Sequence, residues 1–385
     1  MMRLRAALVW ALAALGLLLV AGCNNRTTVL PPTPLKPFHA TLRIIHIWSR
    51  TIGSGAGGQR YALVAAPRAD AVLTASRGGR VAAYRASNGH MLWSIRINQT
   101  ITAGPGAGDG RLFVTTRRAV LIALNEANGS VAWRDRLPTF ALTPPVVSHG
   151  RVIVETADGH LSAFRAASGQ KLWSVAESMP HLILRGNSPP LATRTRVYAG
   201  LTSGQVVALS LRTGRTIWNV TIAHPTGHSR VARMVDIIGP MALVHHHLFA
   251  VSDHGRLVCL STHSGTRVWS RKVSSLSGLS AGMENIYVTD AASIVRVYDR
   301  VTGLPIWANP DFKGRRLTAP IPFGPAVVTG DLRGWIEFLS RTNGHLLDRV
   351  RPGSSEIQAP PVVQSGRLFV VTAGGTLAAY RLPKS

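Results

Sequence analysis

Residues 145–173 read PVVSHGRVIVETADGHLSAFRAASGQKLW, and this stretch decides the fold. It contains four short runs of alternating or β-branched residues, separated by glycine-containing turn signals. Four such runs in succession predict a four-stranded antiparallel meander. The last run opens with the pentapeptide Gly-x-x-x-Trp, from Gly169 to Trp173.

The same pentapeptide returns about every 40 residues along the chain. A seventh copy opens at Gly344 but carries Asp348 in place of the tryptophan. The complete copies are Gly89 to Trp93, Gly129 to Trp133, Gly169 to Trp173, Gly214 to Trp218, Gly265 to Trp269 and Gly303 to Trp307. A fixed period of this length is typical of stacked units that cannot bury their apolar faces alone. A ring of four-stranded sheets is a β-propeller.

The two ends of the chain complement each other. The C-terminus ends in strand runs at 366–371 and 375–380, with no Gly-x-x-x-Trp after them. The N-terminal run 42–48, LRIIHIW, is a strand without a blade. If it supplies the last strand of the C-terminal blade, the ring closes and two open edges disappear. We therefore predict an all-β, eight-bladed β-propeller of four-stranded antiparallel blades; a seven-bladed ring, with both ends unpaired, is less favoured.

The repeated tryptophans could pack between blades or form an aromatic binding site. Their regular period favours packing, in which each ring buries roughly 150–250 Å² against the next blade. Asp348 then marks a blade junction that is packed differently.

The first 22 residues are predicted to be a signal peptide. Arg3 and Arg5 precede an apolar run at 6–20, which is too short for a comfortable membrane span. The following Val-Ala-Gly-Cys ends at Cys23 and resembles the lipobox of bacterial lipoproteins, in which this cysteine is acylated; an ordinary signal with an incidental cysteine is the alternative. Asn24 resembles the residue at that place in lipoproteins sent to the outer membrane.

The expected domains are a signal peptide at 1–22, a lipidated Pro-rich tether at 23–40 and the propeller at 41–385. Four prolines lie between residues 24 and 40, so this segment should be extended and reach roughly 50 Å. Cys259 lies in a strand run and is expected to be a buried, unreactive thiol.

The chain is strongly basic, with a net charge of +26. Removing Arg3 and Arg5 with the signal leaves 41 basic side chains against 17 acidic ones, a net charge of +24. An export signal and the absence of long basic runs argue against nucleic-acid binding. Attraction to anionic lipid or lipopolysaccharide remains open. We favour adaptation to an acidic exterior, because few carboxylates are present to drive acid unfolding.

Nothing in the sequence predicts catalysis, a cofactor or a bound metal. Propellers with this repeat resemble quinoprotein dehydrogenases, which hold pyrroloquinoline quinone and calcium beneath a vicinal disulfide, yet this chain has no Cys-Cys pair. The motif His245-His246-His247 has metal-ligand composition. In a strand, however, the middle histidine would face away from the other two, so a solvated blade strand is favoured over a metal site.

The period stretches between Trp173 and Trp218 and again between Trp218 and Trp269. The excess residues fall at 176–187 and 221–239, in connections that adjacent blades should place side by side. Loops on a rigid scaffold carry binding. Leu182 and Leu184 can project together with Arg185 at their edge, a composition typical of protein-binding hot spots. An ordinary core strand explains the two leucines equally well.

With its lipobox, tether, ring and segment 181–189, HLILRGNSP, the mature chain resembles the BamB family, lipoproteins of the outer-membrane β-barrel assembly machinery. The resemblance implies that Leu182, Leu184 and Arg185, together with Arg233 and Asp236 of a second loop, dock onto the POTRA domains of BamA. The second acid of the family's second-loop pattern is Ile238 here.

The expected function is thus a non-enzymatic scaffold, lipid-anchored at the periplasmic face of the outer membrane. It would bind BamA within the β-barrel assembly complex, support outer-membrane protein insertion and have nascent outer-membrane proteins as candidate clients. A periplasmic quinoprotein-like redox enzyme and a saccharide- or lipopolysaccharide-binding propeller are the alternatives.

Overall fold

A computed structural model describes residues 31–57, 62–176, 188–224 and 235–383. The chain divides into two compact units, Met1–Pro32 and Thr33–Ser385. All strands of the described residues lie in the second unit, and all but one short strand form eight four-stranded antiparallel blades. The predicted eight-bladed β-propeller is confirmed.

Blades 1 to 4 follow one another along the chain, each running from its first strand to its fourth. Blade 1 contains β3 (Ala66–Arg68), β4 (Ala71–Ala75), β5 (Arg80–Arg85) and β6 (Met91–Arg96). Blade 2 contains β7 (Ile101–Gly108), β8 (Arg111–Thr116), β9 (Val120–Asn125) and β10 (Val131–Arg136). Blade 3 contains β11 (Val146–Ser148), β12 (Arg151–Glu155), β13 (His160–Arg165) and β14 (Lys171–Ala176). Blade 4 contains β15 (Leu191–Ala192), β16 (Arg196–Gly200), β17 (Gln205–Ser210) and β18 (Thr216–Thr221).

Blades 5 to 8 continue the series, and the last takes one strand from the N-terminus. Blade 5 contains β19 (Ala242–Val244), β20 (His247–Val251), β21 (Arg256–Ser261) and β22 (Arg267–Lys272). Blade 6 contains β23 (Leu279–Ala281), β24 (Asn285–Thr289), β25 (Val295–Asp299) and β26 (Pro305–Asn309). Blade 7 contains β27 (Ile321–Phe323), β28 (Ala326–Gly330), β29 (Ile336–Ser340) and β30 (Leu346–Val350). Blade 8 contains β31 (Val362–Gln364), β32 (Arg367–Val371), β33 (Thr376–Arg381) and β1 (Ile45–Thr51).

The ring closes through the pairing of β1 with β33, from Ile45 opposite Arg381 to Thr51 opposite Thr376. The closing strand therefore begins three residues later than the predicted run 42–48 and extends beyond Trp48. After it, the short strand β2 (Ala62–Leu63) adds in parallel to β7 of blade 2.

The core lies within and between the blades. First strands of neighbouring blades contact one another and therefore surround the ring axis. The middle strands are buried on both faces, as in Leu112, Phe113 and Val114, each with 0% exposure. Fourth strands lie outermost and alternate between exposed and partly buried residues. None of the described residues forms a helix long and apolar enough to cross a membrane.

The tryptophans pack between blades, as predicted. The indole Nε1–H of Trp133 in blade 2 donates to the backbone O of Ala166 in blade 3 at 3.0 Å. Equivalent bonds of 2.9–3.1 Å join six other pairs: Trp48 to Ala86, Trp93 to Glu126, Trp173 to Leu211, Trp218 to Thr262, Trp269 to Arg300 and Trp307 to Arg341. Seven of the eight junctions are therefore built alike.

The glycine of each repeat is explained by the tryptophan of the preceding blade. Gly169 has φ +79°, and a Cβ atom there would lie 2.8 Å from the Trp133 ring. The same close approach recurs between Trp48 and Gly89 and between Trp307 and Gly344. In each Gly-x-x-x-Trp repeat, the glycine therefore packs against the tryptophan of the preceding blade, and the tryptophan packs against the following blade.

Residues 33–44 lie along the outer edge of blade 7. Leu35 packs against a buried cluster that includes Phe312 and Leu317. The amides of Thr41 and Leu42 both donate to the backbone O of Leu347 in β30, at 3.0 and 3.2 Å. As a result β30 is partly buried along its whole length, unlike the outer strands of the other blades. The compact unit thus begins at Thr33, inside the segment predicted to be the tether.

Candidate partner-binding site

The predicted docking residues lie mostly outside the described part of the chain. Leu182, Leu184 and Arg185 fall at 177–187, and Arg233 falls at 225–234. Their role in partner binding stays a prediction. The residues that hold the ends of both segments are described, and they define the base of the candidate site.

Both segments connect the outermost strand of one blade to the first strand of the next. The first follows β14 of blade 3 and precedes β15 of blade 4, and the second follows β18 of blade 4 and precedes β19 of blade 5. Because all blades run in the same direction from axis to rim, the described ends of both connections lie at the same face of the ring.

The ends of the two segments are tied together. Ser188, the first described residue after 177–187, is fully buried. Its Oγ–H donates to the backbone O of Gly239 at 2.9 Å, across a gap of 51 residues in sequence. Beneath them, a Cβ atom on Gly200 would lie 2.5 Å from Ile237 and 3.2 Å from Ser188. The expectation that adjacent blades bring the two segments together is therefore confirmed for their described ends.

The residues on either side of the second segment also pack against a single turn of the ring. Ala223 and Val235, on either side of 225–234, both contact Gly204 in the β16–β17 turn. A Cβ atom on Gly204 would lie 2.7 Å from the backbone O of Ala223 and 2.9 Å from Val235 Cγ2. The Ile222 amide donates to the Gly204 backbone O at 2.9 Å. Both ends of this segment are therefore fixed over one turn of blade 4.

Asp236 lies in this base rather than on an exposed surface. Its exposed fraction is 1%, and its backbone O accepts a hydrogen bond from the Asp253 amide at 2.9 Å. A carboxylate with this burial would influence a partner through the position of the segment, and not by direct contact. A role of Asp236 in docking stays a prediction, and the residue would fulfil it by positioning the segment.

Sequence reasoning assigned no role to Ser188 or Gly204. The only signal for Ser188 is its place just after the first stretched segment, and its bond to Gly239 has no local sequence pattern, because it joins two connections. Gly204 belongs to a recurring turn glycine, since Gly79 and Gly334 are approached in the same way by the chain that follows the fourth strand.

The histidine motif does not form a blade strand, so that prediction is wrong. His245, with φ +52°, and His246 form the exposed turn between β19 and β20, and His247 begins β20. A regular strand does not continue through a residue in the left-handed region. Within residues 31–57, 62–176, 188–224 and 235–383, no group of three His, Cys, Asp or Glu side chains could hold a metal ion.

Cys259 lies in the apolar contact between blades 5 and 6, with 1% exposure. Burial raises the pKa of its thiol to about 12, opposed by the nearby charge of Arg300. Since the thiolate is the reactive form, a thiol with this pKa is unreactive near neutral pH.

The fold and this base define a class of protein: a closed propeller with Gly-x-x-x-Trp junctions that presents two neighbouring connections from one face. The chain belongs to the BamB family of outer membrane protein assembly factors. The family model described as "Outer membrane protein assembly factor BamB" matches residues 77–309.

A relative and a solved structure agree with this membership. The outer membrane protein assembly factor BamB of Pseudomonas aeruginosa is 39% identical over 372 residues, covering 97% of this chain and 98% of that protein. The crystal structure of BamB from Moraxella catarrhalis has a TM-score of 0.81 at 27% identity, covering 88% of this chain and 100% of that chain.

The same ring occurs in a protein with different chemistry. A quinohemoprotein alcohol dehydrogenase from Pseudomonas putida HK5 has a TM-score of 0.72 at 12% identity, covering 89% of this chain and 77% of that chain. At this identity the likeness extends to the fold alone, because one fold can carry many unrelated functions.

Proposed function

We propose that this chain is a non-enzymatic scaffold of outer-membrane β-barrel assembly that binds the POTRA domains of BamA through segments 177–187 and 225–234. The observation that carries the proposal is the bond from Ser188 to Gly239, which ties the ends of the two segments together at one face of a rigid ring. A relative named as an assembly factor matches nearly the whole chain. Support of outer-membrane protein insertion is part of the same proposal.

A fixed base is what a docking surface requires. Loops held at both ends lose less conformational freedom when a partner binds, and this preorganisation favours affinity. Leu182, Leu184 and Arg185 would supply apolar anchors and a cation, and Arg233 would add a second cation from the neighbouring segment. The buried Asp236 would help to position that segment.

Pull-down of BamA tests this proposal directly. The variant combines Leu182→Ala, Leu184→Ala and Arg185→Glu, and loss of one true anchor alone should weaken binding by about 30-fold or more. The matched control combines Met91→Ala, Leu92→Ala and Arg96→Glu, three exposed residues on β6 of blade 1. A folded triple variant that binds BamA as tightly as the control would overturn the docking assignment.

The anchor is the second part of the proposal. Acyl chains on Cys23 would hold the ring at the periplasmic face of the outer membrane, since stable attachment needs more than one chain or an additional attraction. The test replaces residues 1–22 with a signal that is cleaved independently of Cys23 and adds Cys23→Ser. The mature ring should then leave the membrane fraction in high salt. Full retention of this variant would contradict lipid anchoring.

The competing assignment is a quinoprotein-like redox enzyme. The named relatives are assembly factors, which supports a scaffold. Incubation of the purified chain with pyrroloquinoline quinone and calcium, followed by gel filtration, separates the two. Quinone absorbance that co-elutes with the protein would favour the enzyme.

A further inference from the structure

The segment that leads to the anchor is attached to blade 7 and to the connection between blades 6 and 7 by several independent contacts. The Thr33 amide donates to the backbone O of Lys313 at 3.0 Å, and its own backbone O accepts from Arg315 Nη1 at 3.0 Å. Lys36 pairs with Asp311 at 2.7 Å. Phe38, with 38% exposure, lies beneath the Arg349 guanidinium at 5.0 Å from its ring centroid. The chain therefore enters the ring at a defined place on blade 7.

Three carboxylates near this place are each matched by one cation. Arg315 pairs with Asp331 while almost fully buried, with side-chain exposures of 3% and 0%. Arg349 Nε lies 2.7 Å from Glu337 Oε2, with exposures of 10% and 0%. Lys36 with Asp311 is the third pair. Two further carboxylates of this region, Asp348 and Glu356, form no ion pair in the described part of the chain.

Four exposed cations remain beside them: Lys313, Arg316, Arg333 and Arg351. Across the described residues, no carboxylate forms an ion pair with any of these four. They lie on neighbouring segments of the chain, because the Leu332 amide donates to the backbone O of Arg315 at 3.0 Å and Arg351 Nε donates to the backbone O of Arg333 at 3.1 Å.

An aromatic residue contacts one of these cations. Trp335 is half-buried, and the Arg351 guanidinium lies over its ring at 5.0 Å from the centroid. It is the one tryptophan of the described residues that takes no part in a blade junction. Lys313, Arg316, Arg333, Trp335 and Arg351 together are called the blade-7 rim below.

We propose that the blade-7 rim binds anionic phospholipid headgroups of the membrane that holds the anchor. The inference rests on the proposed acylation of Cys23. Uncompensated cations match the negative surface of such a membrane, and each contributes a factor of about five in affinity. Trp335 adds an amphipathic ring of the kind enriched at membrane–water interfaces.

The chain length between anchor and ring supports this occupant. Residues 23–32 span at most roughly 31 Å in polyproline II geometry, so an acylated Cys23 keeps the entry point at Thr33 close to lipid. A short linkage raises the effective concentration of a second, weaker contact. The stretched segments follow blades 3 and 4, whereas the rim residues follow blades 6 and 7 or lie in a turn of blade 7, so the two sites occupy different sectors of the ring.

Vesicle co-sedimentation tests the rim in the full mature chain carrying Cys23→Ser, so that no acyl chain contributes. The probes are phosphatidylcholine vesicles with and without about one-third phosphatidylglycerol. The first variant is Arg333→Glu with Arg351→Glu, and the second is Lys313→Glu with Arg316→Glu, which leaves the stack on Trp335 intact. The matched control, Arg96→Glu with Arg136→Glu, changes net charge equally on blades 1 and 2, where both arginines are exposed.

Binding to anionic vesicles should weaken by about 30-fold or more in both rim variants and by much less in the control. Binding should also fall with salt, as screening predicts. Equal losses in rim and control variants would assign the attraction to total charge and overturn the proposal. Absence of wild-type binding to anionic vesicles, with thermal melting unchanged, would also overturn it.

A BamA pull-down separates this inference from the proposed function. Rim variants should retain BamA, and the variant changed at Leu182, Leu184 and Arg185 should retain vesicle binding. Loss of vesicle binding by the docking variant, with the rim variants unaffected, would move the lipid contact away from blade 7. Failure of BamA binding in the wild-type chain would leave the vesicle result standing on its own.

Discussion

Asp348 Oδ2 accepts a hydrogen bond from the backbone amide of Ile44 at 2.6 Å, across 304 residues of sequence. Asp348 lies on β30 opposite Phe338, the place at which other blades carry their tryptophan. The next blade has no Gly-x-x-x-Trp turn to receive an indole, because its fourth strand comes from the N-terminus. The side chain at this junction holds the entering chain instead, so the predicted different packing is confirmed.

Asp348→Ala should reduce the free energy of unfolding by about 1–3 kcal/mol, since it leaves a partly buried amide without its acceptor. Asp348→Trp should be worse, because the entering chain occupies the space beside β30. Urea denaturation measures both. The control is Asp70→Ala, which removes the same charge at an exposed turn in blade 1. A loss at Asp348 no larger than at Asp70 would mean that this bond does not stabilise ring closure.

Trp133→Ala should destabilise the ring by up to about 3–5 kcal/mol, the usual effect of deleting a buried large aromatic side chain, because Trp133 is partly buried against the next blade. Trp173→Ala should behave alike, since its indole makes the equivalent bond to Leu211. Thermal melting and denaturant titration are the measurements. Variants that melt like the wild type yet lose partner binding would instead place the tryptophans in a binding site.

Gly169→Ala should destabilise more than Gly150→Ala. The two glycines have φ +79° and +74°, so both substitutions are strained in backbone. A Cβ atom on Gly169 would meet the Trp133 ring at 2.8 Å, whereas one on Gly150 would meet nothing within 4 Å. The difference isolates the clash with the indole. In the double variant with Trp133→Ala, the effect of Gly169→Ala should shrink towards that of Gly150→Ala; strict additivity would contradict the packing relationship.

Ser188→Ala should weaken BamA binding by severalfold while the ring stays folded. It removes the bond to Gly239 and leaves a buried carbonyl without a donor, which costs about 1–3 kcal/mol. Part of the lost binding free energy should arise because the ends of the two segments become more mobile. Ser168→Ala, in an exposed turn of blade 3, is the control. Unchanged BamA affinity together with reduced stability would confine Ser188 to a structural role.

Glu337 should make the ring more stable as the pH falls from 7.5 to 5. Burial raises the pKa of this fully buried carboxyl from its ordinary value of 4.5 to about 7, although the hydrogen bond from Arg349 opposes the shift. Because the pKa of Glu337 is higher in the folded ring than in the unfolded chain, protonation of this carboxyl stabilises the folded state. This contribution is complete below pH 4.5 and is lost as the pH rises through 7.

Relative to Glu337→Gln, which cannot titrate, the wild type should gain up to about 3 kcal/mol over this pH range. Urea titrations at several pH values measure the difference. A gap between the two proteins that stays constant or moves the other way would contradict the raised pKa. An acid unfolding midpoint of the wild type near pH 4–5 would also argue against adaptation to an acidic exterior, which stays a prediction.

The candidate site was less accessible to sequence reasoning than the fold. The stretched periods located both connections, and the resemblance to the BamB family selected Leu182, Leu184 and Arg185 within the first. Asp236 was expected to face a partner and is buried, because the chain after the second segment turns into the ring between Leu201 and Asp253. The histidine motif was misread for a related reason. Composition alone does not reveal a turn that needs φ +52° at His245.

The sequence by itself determined the blade number, the order of strands within each blade and the closure of the ring by the N-terminal strand. These follow from spacing along the chain: a period of two within strands, a repeat of about 40 residues and an unmatched strand at each end. Only the tertiary structure decided which carbonyl each tryptophan meets, that Asp348 holds Ile44, that Ser188 ties two connections together, and that Arg351 stacks on Trp335. Those relationships join residues that are distant in sequence, so they exist only once the blades have packed around the ring.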